Sequence, residues 1–598
     1  MGQEDTMLDD DGSRLDGRRR ALLAGVAGVA TASTAGCVRR VRSIANRDPS
    51  RQVSLEVKTV PADIDSQAAH IARIVTERLT EVGIDASVTP MDEQELLRDV
   101  LINKEFDIYV AQHPGYDDPD FLRSLLHSKY IEEPGWQNPF GYSDLDVDEL
   151  LDVQRRRHGS ERHETLAELQ ETVAQQQPFT VVAFPDDVWG ARTDRFEGWN
   201  QYGLGRPLGY LALDPVSDDA ERVDLLVTDD RLTKNLNPLA TEFRNRGTFT
   251  GLLYDPLARR YDESLRPWLA EDWEWTHDAS DDRPVASVTL REDVTWHDGE
   301  SLTASDVVFT YRFLADTSLG SDDGPVPAPM FRSRVSLVDN IEQVDSRTVE
   351  IAFVPSDPSV AERAFTVPIL PERIWESKSS DADVAGIDLG DRTTEAVVWD
   401  NPEPVGSGPL QFEEKDAAEQ VVFSRFDDHF LHDDSDDERP RFEVGFEELV
   451  LQVAPSEPSA VELLETEEAD AMASPVSPSI VPRLARSSDI NLVVETSRSF
   501  YHLGFNVQRP PLGNPRFRRN VARLLDKEHV ASEVFDGYAI PAASPLAVTD
   551  WEASDLSWDG EDPVLPFFGS DGELDVEAAR EAFRQAGYRY DGNTLVNR

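Results

Sequence analysis

Cysteine, lysine and long apolar runs are all scarce in this chain of 598 residues. Cys37 is its one cysteine, so no disulfide can join two parts of the chain. The small and apolar run at 21–35 is shorter than the roughly 20 residues that a membrane-spanning helix needs, and no other run is apolar enough. The sequence therefore predicts no membrane-spanning segment.

Lysine accounts for only seven of the 58 basic residues, so nearly all of the positive charge is arginine. The 115 acidic residues outnumber them and give a formal net charge of −57 at pH 7. Such a surface repels nucleic acid, which excludes a nucleic-acid partner. It also repels itself in dilute buffer, whereas at molar salt the Debye length falls to roughly 3 Å. The composition therefore predicts a protein of a hypersaline habitat.

Apolar residues are frequent enough to build packed cores. Hydrophobic residues make up 39% of the chain, with 26 Phe and 11 Trp, and this argues against disorder. At roughly 150 residues per domain, the length predicts two to four domains or lobes.

The first 37 residues have the order of an export signal. Arg19 and Arg20 precede the run 21–35, and small residues lead to Cys37. This order resembles a twin-arginine signal that ends in a lipobox, which implies lipid attachment at Cys37 and a polar linker at 38–50. The alternative is a buried cysteine after a short helix. The resemblance predicts an exported protein held at the outer face of the cell membrane.

Periodic apolar residues predict a β-α-β-α-β unit at the start of the folded region. Alternation gives strands near 53–57, 84–88 and 107–111, and helical spacing gives helices at 71–82 and 93–103. Strands that alternate with helices favour a parallel sheet and an α/β fold. Near the other end of the chain, Asp591 and Gly592 predict the turn of a hairpin between "YRY" and "NTLV".

Several segments from about 222 onward occur in the order of a known family. They include "VTLREDVTWHDGESLTASDVVFTYRFL", "VGSGPLQF", "HLGFNVQRPPLGNPRFRRNVARLLDKEHV" and "DVEAAREAFRQAGY". They resemble the N-terminal three-fifths of the family 5 (peptide/nickel-type) extracellular solute-binding proteins of ABC transporters. Residues 51–200, with "FDIYVAQHPGYDDPDFLRSLLHS" and "NPFGYSDLDVDELLD", resemble the C-terminal part of the same family.

The two parts stand in reversed order, which predicts a circular permutation. The family fold would have been opened in the hairpin arm at 590–596, and its old ends joined near 205–222. The alternative is a gene fragment fused to a truncated copy, which predicts two incomplete halves that do not pack.

The resemblance implies a two-lobed periplasmic-binding-protein-like (type II) α/β fold with a hinge and an interlobe cleft. Lobe one would be 186–500, and lobe two would combine 51–185 with 501–598. Two strands would cross between the lobes near 181–191 and 499–508. Closure of such a cleft traps a ligand that contacts both lobes.

The resemblance and the strand ends suggest the candidate ligand-binding residues. The segment after the strand at 107–111 follows its carboxyl end, where open α/β sheets bind ligands. Aromatic residues near the expected crossings and cleft could stack on a ligand, and Asp118 could instead cap a helix. The candidates are Tyr116, Asp117, Asp118, Asn138, Tyr142, Tyr254, Phe500 and Tyr501, with Trp136 and Trp199 as weaker ones.

One departure from the family concerns the aspartate that often holds a peptide's α-amino group. Alignment on Asp118 places Gly115 at that position, and Asp117 could substitute if the loop shifts. Peptide binding is therefore one of several possibilities for the ligand.

The resemblance implies delivery of a small solute, an oligopeptide or a dipeptide, to ABC permease and ATPase subunits. The alternatives are a receptor subunit for a membrane sensor, and a binding protein for an oligosaccharide or a nickel complex. A hydrolase is disfavoured because no nucleophile–base pair and no G-x-S-x-G, H-E-x-x-H or P-loop motif is present. We expect no cofactor and no metal site.

Overall fold

The computed structural model describes residues 52–116, 118–217, 219–240, 247–261, 264–276, 283–322, 324–382, 393–432, 440 and 442–596. The predicted signal and linker, with Arg19, Arg20 and Cys37, lie outside the described residues, and so does Asp117. Within the described ranges, no helix combines the length and apolar character needed to cross a bilayer.

One large mixed sheet organises the chain. Its twelve strands are β1 (Ser54–Thr59), β2 (Asp85–Pro90), β3 (Ile108–His113), β4 (Phe179–Arg192), β5 (Arg222–Val227), β6 (Leu410–Asp416), β7 (Gln420–Arg425), β8 (Glu448–Val453), β9 (Ala471–Met472), β10 (Ile490–Thr496), β11 (Phe500–Phe505) and β12 (Ala539–Pro541). The spatial order is β6-β7-β8-β5-β9-β4-β11-β3-β1-β2, and β10 and β12 also pair with β4. The parallel pairing of β1 with β2 and β3 confirms the predicted β-α-β-α-β unit.

Strand β4 joins the two halves of this sheet. Its first part pairs antiparallel with β11, from Phe179 to Ala183, and its second part pairs antiparallel with β10, from Asp186 to Arg192. The 14 residues of β4 therefore lie beside the segment from β10 to β11 along their length. Both segments pass from one half of the sheet to the other.

Helices cover the sheet, and most of the longer ones begin at a side chain that caps the helix. Asp65, Asp144, Ser456, Asn514, Asp526 and Asp575 accept hydrogen bonds from the first turns of the helices that follow them. The helices of seven residues or more are Ser66–Glu81, Leu145–Gln154, Gly159–Gln176, Ala304–Ala315, Glu457–Glu465, Pro515–Ala522, Lys527–Glu533 and Val576–Gln585. Thr303 and Asp306 form a capping box at the start of Ala304–Ala315.

A second sheet of four antiparallel strands lies in the middle of the chain. Its strands are Ala270–Thr276, Val285–Leu290, Thr348–Phe353 and Val338–Gln343, in spatial order. The predicted terminal hairpin is formed by Arg589–Asp591 and Thr594–Val596.

The buried apolar side chains form two large cores. The central core draws on residues from Trp189 to Val493, and the terminal core combines residues from Val53 to Phe184 with residues from Phe500 to Leu595. We call the parts of the chain around these cores the central lobe and the terminal lobe. Strand β4 leaves the terminal core and enters the central core, so it connects the two lobes.

The terminal lobe is assembled from both ends of the described chain. Val53 N donates a hydrogen bond to Leu595 O at 2.8 Å, and Leu595 N donates to Gly83 O at 2.9 Å. Gln52 also forms an antiparallel bridge with Val596. Gly83 has φ +91°, and a Cβ on it would lie 2.0 Å from Asn593 O, so this close approach of the hairpin requires glycine.

Candidate functional site

A cavity of about 460 Å³ lies between the two lobes, beside the connecting strands. The terminal lobe contributes residues from His113 to Gln137, at and beyond the carboxyl end of β3. The central lobe contributes residues from Gly205 to Pro368, and the connecting strands contribute Asp187 and 495–499. This volume is typical of a site for a small molecule.

The two walls of the cavity differ in charge. The lining residues of the terminal lobe include His113, Tyr116, Phe121 and Trp136 and carry no formal charge when the histidine is neutral. Burial, and after it the neighbouring His502, lower the pKa of His113 well below its usual value, so this histidine is neutral at pH 7.

Six arginines line the rest of the cavity, five on the central lobe and one on the connecting segment. They are Arg206, Arg259, Arg260, Arg334, Arg363 and Arg498. The described lining contains only two carboxylates, those of Asp187 and Glu495 on the connecting strands. The cavity thus has three arginines for each carboxylate, whereas the chain as a whole has about two acidic residues for each basic one.

A buried ion pair joins the lobes behind the cavity. Asp120 of the terminal lobe is fully buried and accepts hydrogen bonds from Arg155 Nη2 at 2.8 Å and from Arg363 Nη1 of the central lobe at 2.7 Å. Burial alone would raise the pKa of Asp120, but Arg155 and Arg363 outweigh it and hold the pKa at about 2. Asp120 is therefore ionised at neutral pH and fixes Arg363 at the cavity wall.

Further contacts join the two lobes. Arg332 of the central lobe makes two hydrogen bonds to the carboxylate of Glu133, at 2.6 and 2.9 Å. Gln137 Nε2 donates to Pro329 O at 3.0 Å. Contacts that cross a cleft can form only while the lobes are together, so the structure describes a closed arrangement.

Hydrogen bonds to Tyr254 and to its neighbour Asp255 hold Tyr254 in the wall of the central lobe. Asn401 Nδ2 donates to the Tyr254 hydroxyl at 2.9 Å. The next residue, Asp255, is fully buried and accepts from Trp268 Nε1 at 2.6 Å, and His429 Nε2 lies 3.0 Å from its other carboxylate oxygen. These partners make this part of the wall rigid.

Three of the predicted residues line the cavity: Tyr116, Tyr254 and the weaker candidate Trp136. Tyr116 stacks on Phe121 with a ring-centroid distance of 4.1 Å, so two aromatic faces lie together on the neutral wall. A role for these rings in ligand binding stays a prediction.

The other described candidates lie outside the cavity lining and have partners within the protein. Asp118 pairs with Arg162 at 2.6 Å, and its Oδ1 accepts from the Asp120 N–H at 2.8 Å. The N-cap of the helix Phe121–Leu126 is Asp120, so the alternative role of Asp118 as the helix cap is wrong. Asn138 donates to three carbonyl oxygens and accepts from the Tyr142 N–H at 2.9 Å, which shapes the loop.

The aromatic candidates near the connecting strands are also packed inside the protein. Phe500 is fully buried and stacks on His113, with centroids 4.8 Å apart. The Tyr501 hydroxyl donates to the Asp65 carboxylate at about 3.0 Å. Trp199 Nε1 donates to Arg192 O and Phe196 O.

Gly115 occupies a position that excludes a larger side chain. Its φ is +95°, and a Cβ there would lie 3.0 Å from the Arg498 carbonyl carbon and 3.1 Å from the Ser499 nitrogen. The backbone of the connecting segment therefore takes the space that an aspartate side chain would need.

No sequence pattern predicted the six arginines that line the cavity. They are spread from 206 to 498, and no motif marks them. The one signal in the sequence was that basic residues are scarce. In so acidic a chain, each arginine is a stronger candidate for a specific role than it would be in a chain of ordinary composition. Only the fold brings these six together.

Comparison with known proteins identifies the family. A profile described as "Bacterial extracellular solute-binding proteins, family 5 Middle" matches residues 264–597. The dipeptide-binding protein of Escherichia coli (strain K12) is 23% identical over 317 residues, which cover 49% of this chain and 53% of the relative. The probable ABC transporter periplasmic-binding protein SapA of the same organism is 26% identical over 329 residues, covering 50% and 54%. The chain thus spans about half the length of the curated relatives it matches.

Solved structures of the same class also match parts of the chain. NikZ from Campylobacter jejuni in complex with Ni(L-His) is 18% identical, with a TM-score of 0.44, and the match covers 62% of this chain and 64% of NikZ. A dipeptide-binding protein from Pseudoalteromonas sp. in complex with Met-Leu is 23% identical, with a TM-score of 0.40 and coverage of 53% and 59%. Because the profile match extends over more than half of the chain, this protein belongs to family 5 of the extracellular solute-binding proteins, a family of binding proteins and not of enzymes.

Proposed function

We propose that this protein captures a small peptide-like solute outside the cell and delivers it to the permease and ATPase subunits of an ABC importer. The observation that carries the proposal is the cavity of about 460 Å³ between two lobes that share strand β4. A ligand in this cavity touches both lobes only when they are closed, so it stabilises the closed form. A permease can distinguish the closed form from the open one.

The peptide-like class is supported by the relatives and by the neutral wall. One relative is a dipeptide-binding protein, and one solved structure with the same type of fold holds Met-Leu. The faces of Tyr116, Phe121 and Trp136 offer apolar surface for a side chain, and the opposite wall offers guanidinium groups for a carboxylate.

We also propose that the chain is a circular permutant of the family fold. The order of the family segments supports it, and so does the terminal core, which unites residues from Val53 to Phe184 with residues from Phe500 to Leu595. Termini that lie side by side make such a rearrangement inexpensive in free energy. In this proposal 51–185 and 501–598 form one lobe and 186–500 the other, and the two parts need each other to fold.

The order of residues around Arg19, Arg20 and Cys37 supports export and attachment by a lipid at Cys37. The charge of −57 supports a hypersaline habitat. Replacing Cys37 with serine is expected to release the protein into the medium or to leave it unprocessed. Unchanged retention in the membrane fraction would refute the lipid anchor.

The test of capture is to identify what the protein carries. Protein purified in high salt is analysed by native mass spectrometry, and binding of a panel of dipeptides and tripeptides is measured by calorimetry. A bound peptide recovered unchanged, together with a smaller radius of gyration in X-ray scattering when it is added, supports the proposal. Hydrolysis of the bound peptide, or an oligosaccharide in its place, would contradict it.

A further inference from the structure

The charge of the cavity points to the class of solute that it accepts. Four of the six lining arginines have a hydrogen-bonding or ion-pairing partner within the protein. Arg363 bonds to Asp120 at 2.7 Å, Arg259 lies 3.4 Å from Asp255, Arg206 lies 3.8 Å from Glu495, and Arg334 donates to Thr366 O.

Arg260 and Arg498 differ from these four. Both line the cavity and are half-buried, and neither guanidinium has a hydrogen bond or ion pair with a described residue. Arg260 interacts electrostatically with Glu362, and Arg498 interacts with Tyr116. Neither arginine forms a salt bridge with this neighbour. Partial burial without a partner costs free energy, and an anion that enters the cavity would remove this cost.

The opposite wall does not offset this positive charge. The terminal-lobe lining contributes aromatic, apolar, hydroxyl and amide side chains together with the neutral His113. The two lining carboxylates are both on the connecting strands, and Glu495 already faces Arg206. A guanidinium is the side chain best suited to bind carboxylate or phosphate oxygens with two parallel hydrogen bonds.

We propose that the solute carries at least two anionic groups, carboxylates or phosphates, and that Arg260 and Arg498 bind them from the central lobe and the connecting segment. This inference rests on the proposed function and narrows it, because an acidic peptide would meet the requirement and a peptide with neutral side chains would meet it only in part. The anionic end of the solute lies on the arginine wall, and its apolar part lies against Tyr116 and Trp136.

The experiment compares matched solutes and matched variants in one high-salt buffer. The probes are Ala-Glu-Ala, its neutral counterpart Ala-Gln-Ala and the phosphorylated tripeptide Ala-pSer-Ala, each titrated by calorimetry. The variants are Arg260→Gln, Arg498→Gln and, as a control on an exposed arginine outside the cavity lining, Arg486→Gln. Thermal unfolding shows whether each variant is folded before binding is measured.

The wild type is expected to bind Ala-Glu-Ala or Ala-pSer-Ala at least tenfold more tightly than Ala-Gln-Ala, and the two anionic probes separate a carboxylate from a phosphate preference. Arg260→Gln and Arg498→Gln should each reduce this discrimination at least threefold, and Arg486→Gln should leave it unchanged.

Equal affinity for the acidic and neutral tripeptides overturns this inference and leaves the proposed peptide capture intact. If no tripeptide binds but citrate does, and binding depends on the two arginines, the peptide proposal fails and this inference stands. Absence of binding by every probe overturns both.

Discussion

The backbone N–H of Val53 donates a hydrogen bond to the carbonyl oxygen of Leu595, at 2.8 Å. These residues are separated by almost the whole described chain, yet both side chains are buried in the same core. The contact places the hairpin Arg589–Asp591 and Thr594–Val596 against the start of β1. Stability of the terminal lobe must therefore depend on residues at both ends of the chain.

Replacing Leu595 with alanine tests this dependence. Leu595 is fully buried, so removing its side-chain carbons is expected to lower the free energy of unfolding by about 2–5 kcal/mol. Leu145 is 81% exposed and serves as the matched control, with an expected change within about 0.5 kcal/mol. Urea unfolding in high salt measures both. Equal effects of the two substitutions would mean that the hairpin is not part of the terminal core.

Replacing Gly115 with alanine tests the close approach of the connecting segment. Gly115 and Gly299 both have positive φ, +95° and +83°, so alanine at either position is strained by about 1–2 kcal/mol. Only at Gly115 does the added Cβ also meet backbone atoms, at 3.0–3.1 Å, whereas nothing lies within 4 Å at Gly299. We expect Gly115→Ala to lower the unfolding free energy by about 1–3 kcal/mol more than Gly299→Ala.

The same pair of variants bears on ligand binding. Because Gly115 lines the cavity, its substitution is expected to weaken solute binding, and Gly299→Ala is expected to leave it unchanged. Identical melting temperatures for the two variants would show that the connecting segment moves away from Gly115 without cost.

Glu362 provides a test that depends on pH. Burial, and then the charges of Asp118 and Asp357, raise the pKa of Glu362 from its usual value of 4.5 to about 7. The native state therefore binds this proton more tightly than the unfolded state. Stability from this group is present below pH 4.5 and is lost as the pH rises toward 7.

Glu362→Gln removes the loss of stability that the wild type suffers as the pH rises. Relative to the wild type, the variant is expected to gain unfolding free energy between pH 5 and pH 8, by on the order of 1 kcal/mol because solvent screens a partly exposed group. Glu300→Gln, at an exposed position, should show no such gain. Urea unfolding at the two pH values measures the difference, and a loss of stability at pH 8 would contradict the assignment.

Salt should stabilise this protein by screening its negative surface. Raising NaCl from tenth-molar to 3 M shortens the Debye length from roughly 10 Å to below 3 Å, which weakens repulsion among the acidic residues. The melting temperature is expected to rise by several degrees or more. Sucrose of matched osmolality is the control, since it favours compact states without screening charge. A melting temperature indifferent to NaCl would refute adaptation to high salt.

Most elements of the fold could be predicted from the sequence. The strand and helix patterns of the first 60 described residues predicted β1 to β3 and their parallel pairing, and family resemblance predicted the two-lobed α/β fold, which membership of family 5 confirms. The hairpin was also predicted, because a short turn motif determines it. The bounds moved by a few residues, as helix and strand ends do.

The site could be predicted from the sequence only in part. Tyr116 and Tyr254 line the cavity, but Asn138 and Phe500 are turned into the protein. Sequence position locates a residue at a strand end or on a loop, and it does not decide which way the side chain points. The six arginines of the cavity come from five separate segments, and only tertiary folding brings such distant residues together.

The composition of the terminal core has a consequence for biosynthesis. Residues from Val53 to Phe184 leave the ribosome first, but their apolar faces are completed only when residues from Phe500 to Leu595 follow. At translation rates of 5–20 residues per second, the early segment waits for on the order of tens of seconds with part of its hydrophobic surface exposed. A nascent chain of this architecture needs protection against aggregation throughout synthesis, and its dense negative charge supplies some of it through mutual repulsion between chains.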